Sequence, residues 1–190
     1  MDLLRLYLLC GLVFHKAVWE IMKRRSARSF LLRISSGSSI VLIARLVKLG
    51  ILGGMVLQLF LPDIFPISTQ PLLPQVAGAA LFTSGLIIAV FARLRLGNNW
   101  SDIEAAGLLK EQELVSQGVY RFIRHPIYVG DFLLVTGFEL ALNSILVLGA
   151  VLLIPVIVRQ SIREEAVLSQ NLSGYEDYRA RTKRFVPLVF

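Results

Sequence analysis

The chain has 190 residues, 55% of them hydrophobic, a formal net charge of +7 and one cysteine. That apolar content lies outside the range of a soluble domain and predicts life in a bilayer. The basic residues flank apolar runs instead of covering one face of a soluble fold, so lipid headgroups are the expected counter-charge and nucleic acid is not; Cys10, alone, excludes an intramolecular disulfide and gives no thiolate metal cluster.

Crossing a hydrocarbon core takes about 20 mostly apolar residues, and five such passages are legible. The first runs from Leu3 to Met22 and ends on Lys23, Arg24 and Arg25, which read as a stop signal and not as a signal-peptide cleavage site. A Ser-rich patch, Ser35 to Ser39, leads into the second, Ile40 to Leu61, whose Arg45 and Lys48 lie near its start, where their stems can snorkel to the interface. The third lies between Pro74 and Leu96. Gly50, Gly53 and Gly54 in the second, and Gly78, Ala79 and Gly85 in the third, predict close helix packing. A polar interlude, Gly97 to Pro126, separates these from an apolar stretch, Ile127 to Ile162. That stretch is too long for one crossing and carries Asn143-Ser144 near its middle, so it predicts a tight helical hairpin with arms short for full spans. The chain thus divides into residues 1–96, three membrane helices, and 97–190, a loop, a hairpin and a polar tail.

Sixteen of the 20 basic residues fall after helix one, in the interlude with its margins, or in the tail, all on one side of a five-helix arrangement. Because Lys and Arg accumulate on the cytoplasmic face, the expected fold is an all-α integral membrane protein of about five transmembrane helices including the C-terminal hairpin, N-terminus outside and C-terminus cytoplasmic.

The concentrated polar chemistry then lies on the cytoplasmic side, in two segments. One is GVYRFIRHPIYVGDF, from Gly118 to Phe132, in which Pro126 biases His125 away from helical torsions. The other is RQSIREEAVLSQNLSGYEDYRARTKRFVP, from Arg159 to Pro187. A hairpin returns the chain to its starting side, so Glu164 and Glu165, expected to begin the tail, come back near Arg124, His125 and Tyr128.

In combination, GVYxxxRHPxYxG, a hairpin, REExxL, YxxY and a basic run closing on a proline resemble the isoprenylcysteine carboxyl methyltransferase family and its phospholipid methyltransferase relatives. The resemblance covers roughly Gly97 to Pro187 and implies methyl transfer from S-adenosylmethionine bound at the cytoplasmic face without a Rossmann fold; no strand-GxGxxG-helix unit is present. It implies cofactor contacts from Gln112, Glu113, Leu114 and Val115, from Tyr120, from His125, Pro126, Ile127 and Tyr128, and from Glu164. Gln112 stands where the family usually has a histidine, and Gln160 where it has a substrate-orienting arginine. Arg159 and Arg163 flank Gln160, and the orienting role is expected of one of them. A sulfonium cation with a zwitterionic tail, an adenine and a ribose calls for aromatic faces, hydrogen-bonding edges and an acid, which Tyr120, Tyr128, His125 and Glu164 supply. The implied acceptor is a lipophilic or prenylated amphiphile, a prenylcysteine-like carboxylate first and a phospholipid or other amine or a thiol as the alternative. A carboxylate is already ionised and needs only alignment, whereas an amine must be held deprotonated, with Glu165 or His125 to assist. The competing classes are a sterol-type reductase using NADPH and a non-enzymatic protein whose basic tail binds lipid.

Overall fold

The structure, a computed structural model, describes residues 2–27, 39–61, 65–99 and 113–187. Gln112, Arg28, Arg33, Lys110 and the serine patch ahead of Ser39 lie outside the described residues. The described residues form six α-helices and no sheet: α1 (Leu3–Ala27), α2 (Ser39–Gln58), α3 (Leu72–Leu96), α4 (Pro126–Ala141), α5 (Val147–Asn171) and α6 (Tyr175–Arg181). Short 3-10 turns occupy Gly97–Asn99 and Gly118–Arg121.

The five expected apolar passages correspond to α1 through α5. Of the described helices α3 is the one long and apolar enough throughout to pass as a membrane span by composition alone. The hairpin turns at Asn143, whose backbone takes a φ of 54°. Its side chain is buried and clasps the α2–α3 connection, accepting from Ser68 N at 3.1 Å and donating to Ser68 O at 2.7 Å. Asparagine tolerates the left-handed region and satisfies buried backbone groups, which is why it sits at this corner. The expectation that the tail begins at Glu164 needs correction. Helix α5 continues past Ile162 to Asn171, so both glutamates are helical, Glu164 in an i, i+4 row with Gln160 and Leu168 and Glu165 in the adjacent row with Ser161 and Ser169.

Helices α3 and α4 form the spine. A Cβ on Gly78 would lie 2.1 Å from the Ala141 backbone nitrogen, and one on Gly137 would lie 2.2 Å from that of Phe82. Gly85 and Gly130 meet the opposite helix as closely. Small residues here allow backbone-to-backbone contact, the packing available to helices in a lipid solvent that gives no hydrophobic drive between them. The expectation of close packing therefore holds for Gly78 and Gly85, but around Gly50, Gly53 and Gly54 no described atom comes within 4 Å. Leu8 and Leu12 from α1, Met55 from α2 with Leu59 just after it, and Phe82, Leu134 and Phe138 from the spine complete an apolar core. Outward surfaces are apolar too: Leu73 is 78% exposed, Leu152 73% and Val156 63%.

Helix α3 stops at Gly97, which adopts a φ of 56° and returns its N–H to Arg93 O. Arg93 is fully buried and donates back to Gly97 O at 2.9 Å, placing a cation at the negative end of the helix. The polar segments begin beyond this corner.

Candidate active site

Helix α4 starts with Pro126 at its first position, where a fixed φ suits the helix and the missing N–H costs nothing. The preceding His125 takes φ −121° and ψ 54°, outside helical geometry as expected. Its backbone is held by the tail: Arg124 N donates to Lys183 O at 2.8 Å, His125 N donates to Arg184 O at 3.1 Å and Lys183 N donates to Phe122 O at 3.2 Å. A two-stranded clasp thus joins the chain just before the hairpin to the chain just after it.

Glu165 is the centre of that clasp. Its Oε1 accepts from Arg124 Nε at 2.9 Å, His125 Nε2 at 3.1 Å and Arg184 Nε at 3.0 Å, and its Oε2 accepts from Arg184 Nη2 at 2.8 Å. Burial alone would raise its carboxyl pKa, but the hydrogen bonds from His125, Arg184 and Arg124 outweigh burial and hold it well below the usual carboxylate range. Arg124 also donates to the carbonyls of Arg179 and Thr182. Tyr178, whose phenol burial pushes up to about 12, stays protonated and donates to Tyr120 O at 2.8 Å. Glu165 therefore holds the tail against the hairpin entry, with its lone pairs occupied.

Glu164, one residue earlier, turns to a different neighbourhood. It accepts from the Tyr128 hydroxyl and from Gln160 Nε2 at 3.3 Å, and its Oε2 lies 3.6 Å from His125 Nδ1. His125 and Tyr128 stack with ring centroids 5.6 Å apart at 17°. These groups open on a cavity whose walls come from four places: Leu96 at the end of α3 with Asn99 beyond it, Glu113 to Val115, the Tyr120 to Tyr128 corner, and Glu164 and Leu168 of α5 with Leu172, Tyr175 and Tyr178 after it. Asn99 anchors the second wall by accepting from Glu113 N at 2.8 Å.

Of the residues expected at the site, Glu113, Leu114, Val115, Tyr120, His125, Ile127, Tyr128 and Glu164 line this one cavity. Pro126 is buried beneath it and shapes the turn. Arg159 and Arg163 are both exposed and neither lines the cavity; Gln160 shares the row of Glu164. Sequence reasoning missed Asn99, Leu168, Leu172, Tyr175 and Tyr178 as walls and Arg124 with Arg184 as the clasp. Leu168 and Leu172 were findable, because they continue from Glu164 at four-residue intervals.

The cavity combines an acid, an imidazole, phenols and apolar walls at the start of a helix whose first amides lack intrahelical partners. That donor set fits a ligand with a cationic centre, a hydrogen-bonding ring and a carboxylate.

A family model described as phospholipid methyltransferase matches residues 73–173, more than half of the chain. The nickel-cobalt-cadmium resistance protein NccN of Alcaligenes xylosoxydans is 34% identical over 114 residues, 57% of this chain and 51% of that protein. The protein-S-isoprenylcysteine O-methyltransferase of Schizosaccharomyces pombe is 28% identical over 118 residues, 60% of this chain and 50% of that one. The chain spans about half the length of the curated relatives it matches. Among solved structures, the eukaryotic intramembrane Ras methyltransferase ICMT (isoprenylcysteine carboxyl methyltransferase) superposes with a TM-score of 0.63 at 21% identity, covering all of this chain and 69% of that one. At that identity the likeness establishes the fold.

Proposed function

The chain belongs to the phospholipid methyltransferase family, and from that premise we propose that it is an integral membrane enzyme transferring a methyl group from S-adenosylmethionine to an amphiphilic acceptor at the inner leaflet. The observation that carries this reading is the convergence of His125 and Tyr128 with Glu164, from two sides of a hairpin, on one cavity. Tyr128, His125 and Glu164 would hold the polar parts of the cofactor, Tyr120 and the Glu113 to Val115 strip its ring, and Gln112 belongs with that strip by resemblance. Bound there, the cofactor supplies an electrophilic methyl group.

The chain's own part is alignment and the exclusion of water. Leu96, Ile127 and Leu168 line the cavity with apolar surface, and the Glu165 clasp fixes the tail that closes it. The outward residues of α3 from Leu72 to Leu94, apolar apart from Ser84, and the apolar ones of α5 before Arg159 support membrane residence, and the distribution of basic residues supports five spans with the cavity facing the cytoplasm.

The first-placed acceptor, a prenylcysteine-like carboxylate, is supported by the name of one relative and by the fold neighbour. It calls for a cation, and the assignment of that role to Arg159 or Arg163 is part of the proposal. An amine or thiol acceptor is favoured by a different observation, the uncharged Gln160 beside Glu164.

Calorimetry on the detergent-purified protein tests the reading. S-adenosylhomocysteine should bind, and Y128F and E164Q should each weaken it about tenfold, the loss of one charge-assisted hydrogen bond. Binding of NADPH in its place, or undiminished affinity in both variants, would reject the site.

A further inference from the structure

The chain has two histidines, and the cavity employs one of them. The second, His15 on α1, meets Asp131 on α4, with Nε2 3.0 Å from Asp131 Oδ1. A carboxylate only accepts, so Nε2 carries the proton and Nδ1 presents its lone pair. No hydrogen bond to Nδ1 arises among the described residues. Trp19, one turn along α1, stacks on the imidazole with ring centroids 4.1 Å apart at 28°. An acid that fixes the tautomer of an imidazole, under an aromatic face that stabilises its cation, is a proton-accepting arrangement.

Its position relates it to the cavity. Asp131 follows Ile127 by four residues and Tyr128 by three, so it lies on the same side of α4, about one turn, or about 6 Å, further into the bundle. Gly130 presses that turn of α4 onto Ala89, where a Cβ would lie 2.5 Å from the Ala89 nitrogen, so Asp131 is set by the rigid spine. The His15 side chain is 20% exposed and that of Asp131 40%, leaving the pair open to approach. Ionisable groups within membrane helices are expensive, and a contact serving packing alone is made as well by apolar residues.

Of the other bases lining the cavity or beside it, Glu113 is exposed at its edge, Glu164 accepts from Tyr128 and Gln160, and two more are engaged. Glu165 is bonded to Arg124, His125 and Arg184, and both ring nitrogens of His125 face carboxylates.

Resting on the methyl-transfer reading, we propose that His15 and Asp131 form a dyad that accepts the proton of the acceptor's nucleophile, so that the enzyme methylates a group that arrives protonated, an amine or thiol headgroup. Once the proton has left, the nucleophile's lone pair forms the bond to the methyl carbon, the carbon–sulfur bond breaks and its electron pair stays on sulfur. The nucleophile's proton passes to His15 Nδ1, which Asp131 and Trp19 stabilise as the imidazolium before release to solvent.

The full chain in lipid nanodiscs is assayed with a phosphatidylethanolamine, a long-chain alkanethiol and N-acetyl-farnesylcysteine, whose carboxylate needs no base. With whichever proton-bearing acceptor the wild type uses, H15N should lose on the order of 100-fold in rate and D131N on the order of tenfold. Any carboxylate methylation should be unaffected, S-adenosylhomocysteine affinity should match wild type, and raising the pH toward the acceptor's own pKa should restore the H15N rate. Wild-type rates in H15N, or equal losses with the carboxylate, would overturn the dyad, as would a wild type that methylates the carboxylate alone. Lost S-adenosylhomocysteine binding in both H15N and H15Q would overturn it too, making the pair structural. Absence of that binding and of all turnover in the wild type would instead remove the methyltransferase reading, and the dyad with it.

Discussion

Adjacent glutamates on one helix do opposite things here because successive helical positions point about 100° apart. Glu164 faces the cavity through Tyr128 and Gln160, and Glu165 faces the tail through Arg124, His125 and Arg184. The second role gives a prediction with a sign. The folded carboxyl of Glu165 titrates below the ordinary glutamate value of 4.5, so the folded state refuses a proton that the unfolded chain takes up below that value. Its stabilising contribution is therefore complete above about pH 4.5 and is lost as pH falls from there. Thermal unfolding scanned from pH 7 to pH 3 should show midpoints falling at the acid end, and E165Q should flatten that slope while costing about 3 kcal/mol at neutral pH, because buried arginines lose their counter-charge. An unchanged acid slope in E165Q would place the titration elsewhere. The residue types of the site were legible in the sequence, since RHP and the paired glutamates stand out. The division of labour between the glutamates was not, because it depends on helix phase, and a tail that starts at Glu164 has no helix phase to read.

At the scale of elements, the hairpin was legible from an apolar run too long for one span, and its corner from Asn143-Ser144. The grip of Asn143 on Ser68 was not, because it joins positions 75 apart that no local pattern links. The glycines give a sharper contrast. All five in α2 and α3 share one composition and one expectation, yet only Gly78 and Gly85 oppose a backbone, because packing partners are a tertiary property. G78A and G137A should force the spine apart and cost about 1–3 kcal/mol or more, the range for overpacking a tight interface. G53A, with no described atom within 4 Å, should be neutral or slightly stabilising through helix propensity. Unfolding midpoints in one detergent would check this ordering, and a G137A variant as stable as G53A would contradict the close α3–α4 contact. The consequence reaches the site, since the same spine fixes the first turn of α4, where His125 and Tyr128 enter the cavity.

For the whole molecule, the packing of apolar surface runs opposite to that of a water-soluble bundle. The closest approaches across the spine are made at glycines and alanines, beside a core of Phe82, Leu134 and Phe138, while leucines and valines such as Leu73, Leu152 and Val156 face outward. A surface of that kind is stable only against hydrocarbon. Charge supports one orientation: in the five-span reading of the sequence, the basic segments from Lys23 to Arg33, around the Tyr120 to Tyr128 corner and in the tail fall on one side, and the α2–α3 and α4–α5 connections, which hold no basic residue, fall on the other. The proposed orientation puts the cavity on the cytoplasmic face, where S-adenosylmethionine is made. In a C10S background, Q70C at the α2–α3 corner and R181C in α6 report the two sides, both positions being exposed. A membrane-impermeant maleimide applied to intact cells should label the first and reach the second only after permeabilisation. Labelling of R181C in intact cells would reverse the orientation and leave the cavity on the side without the cofactor, which would make the proposed reaction impossible as drawn.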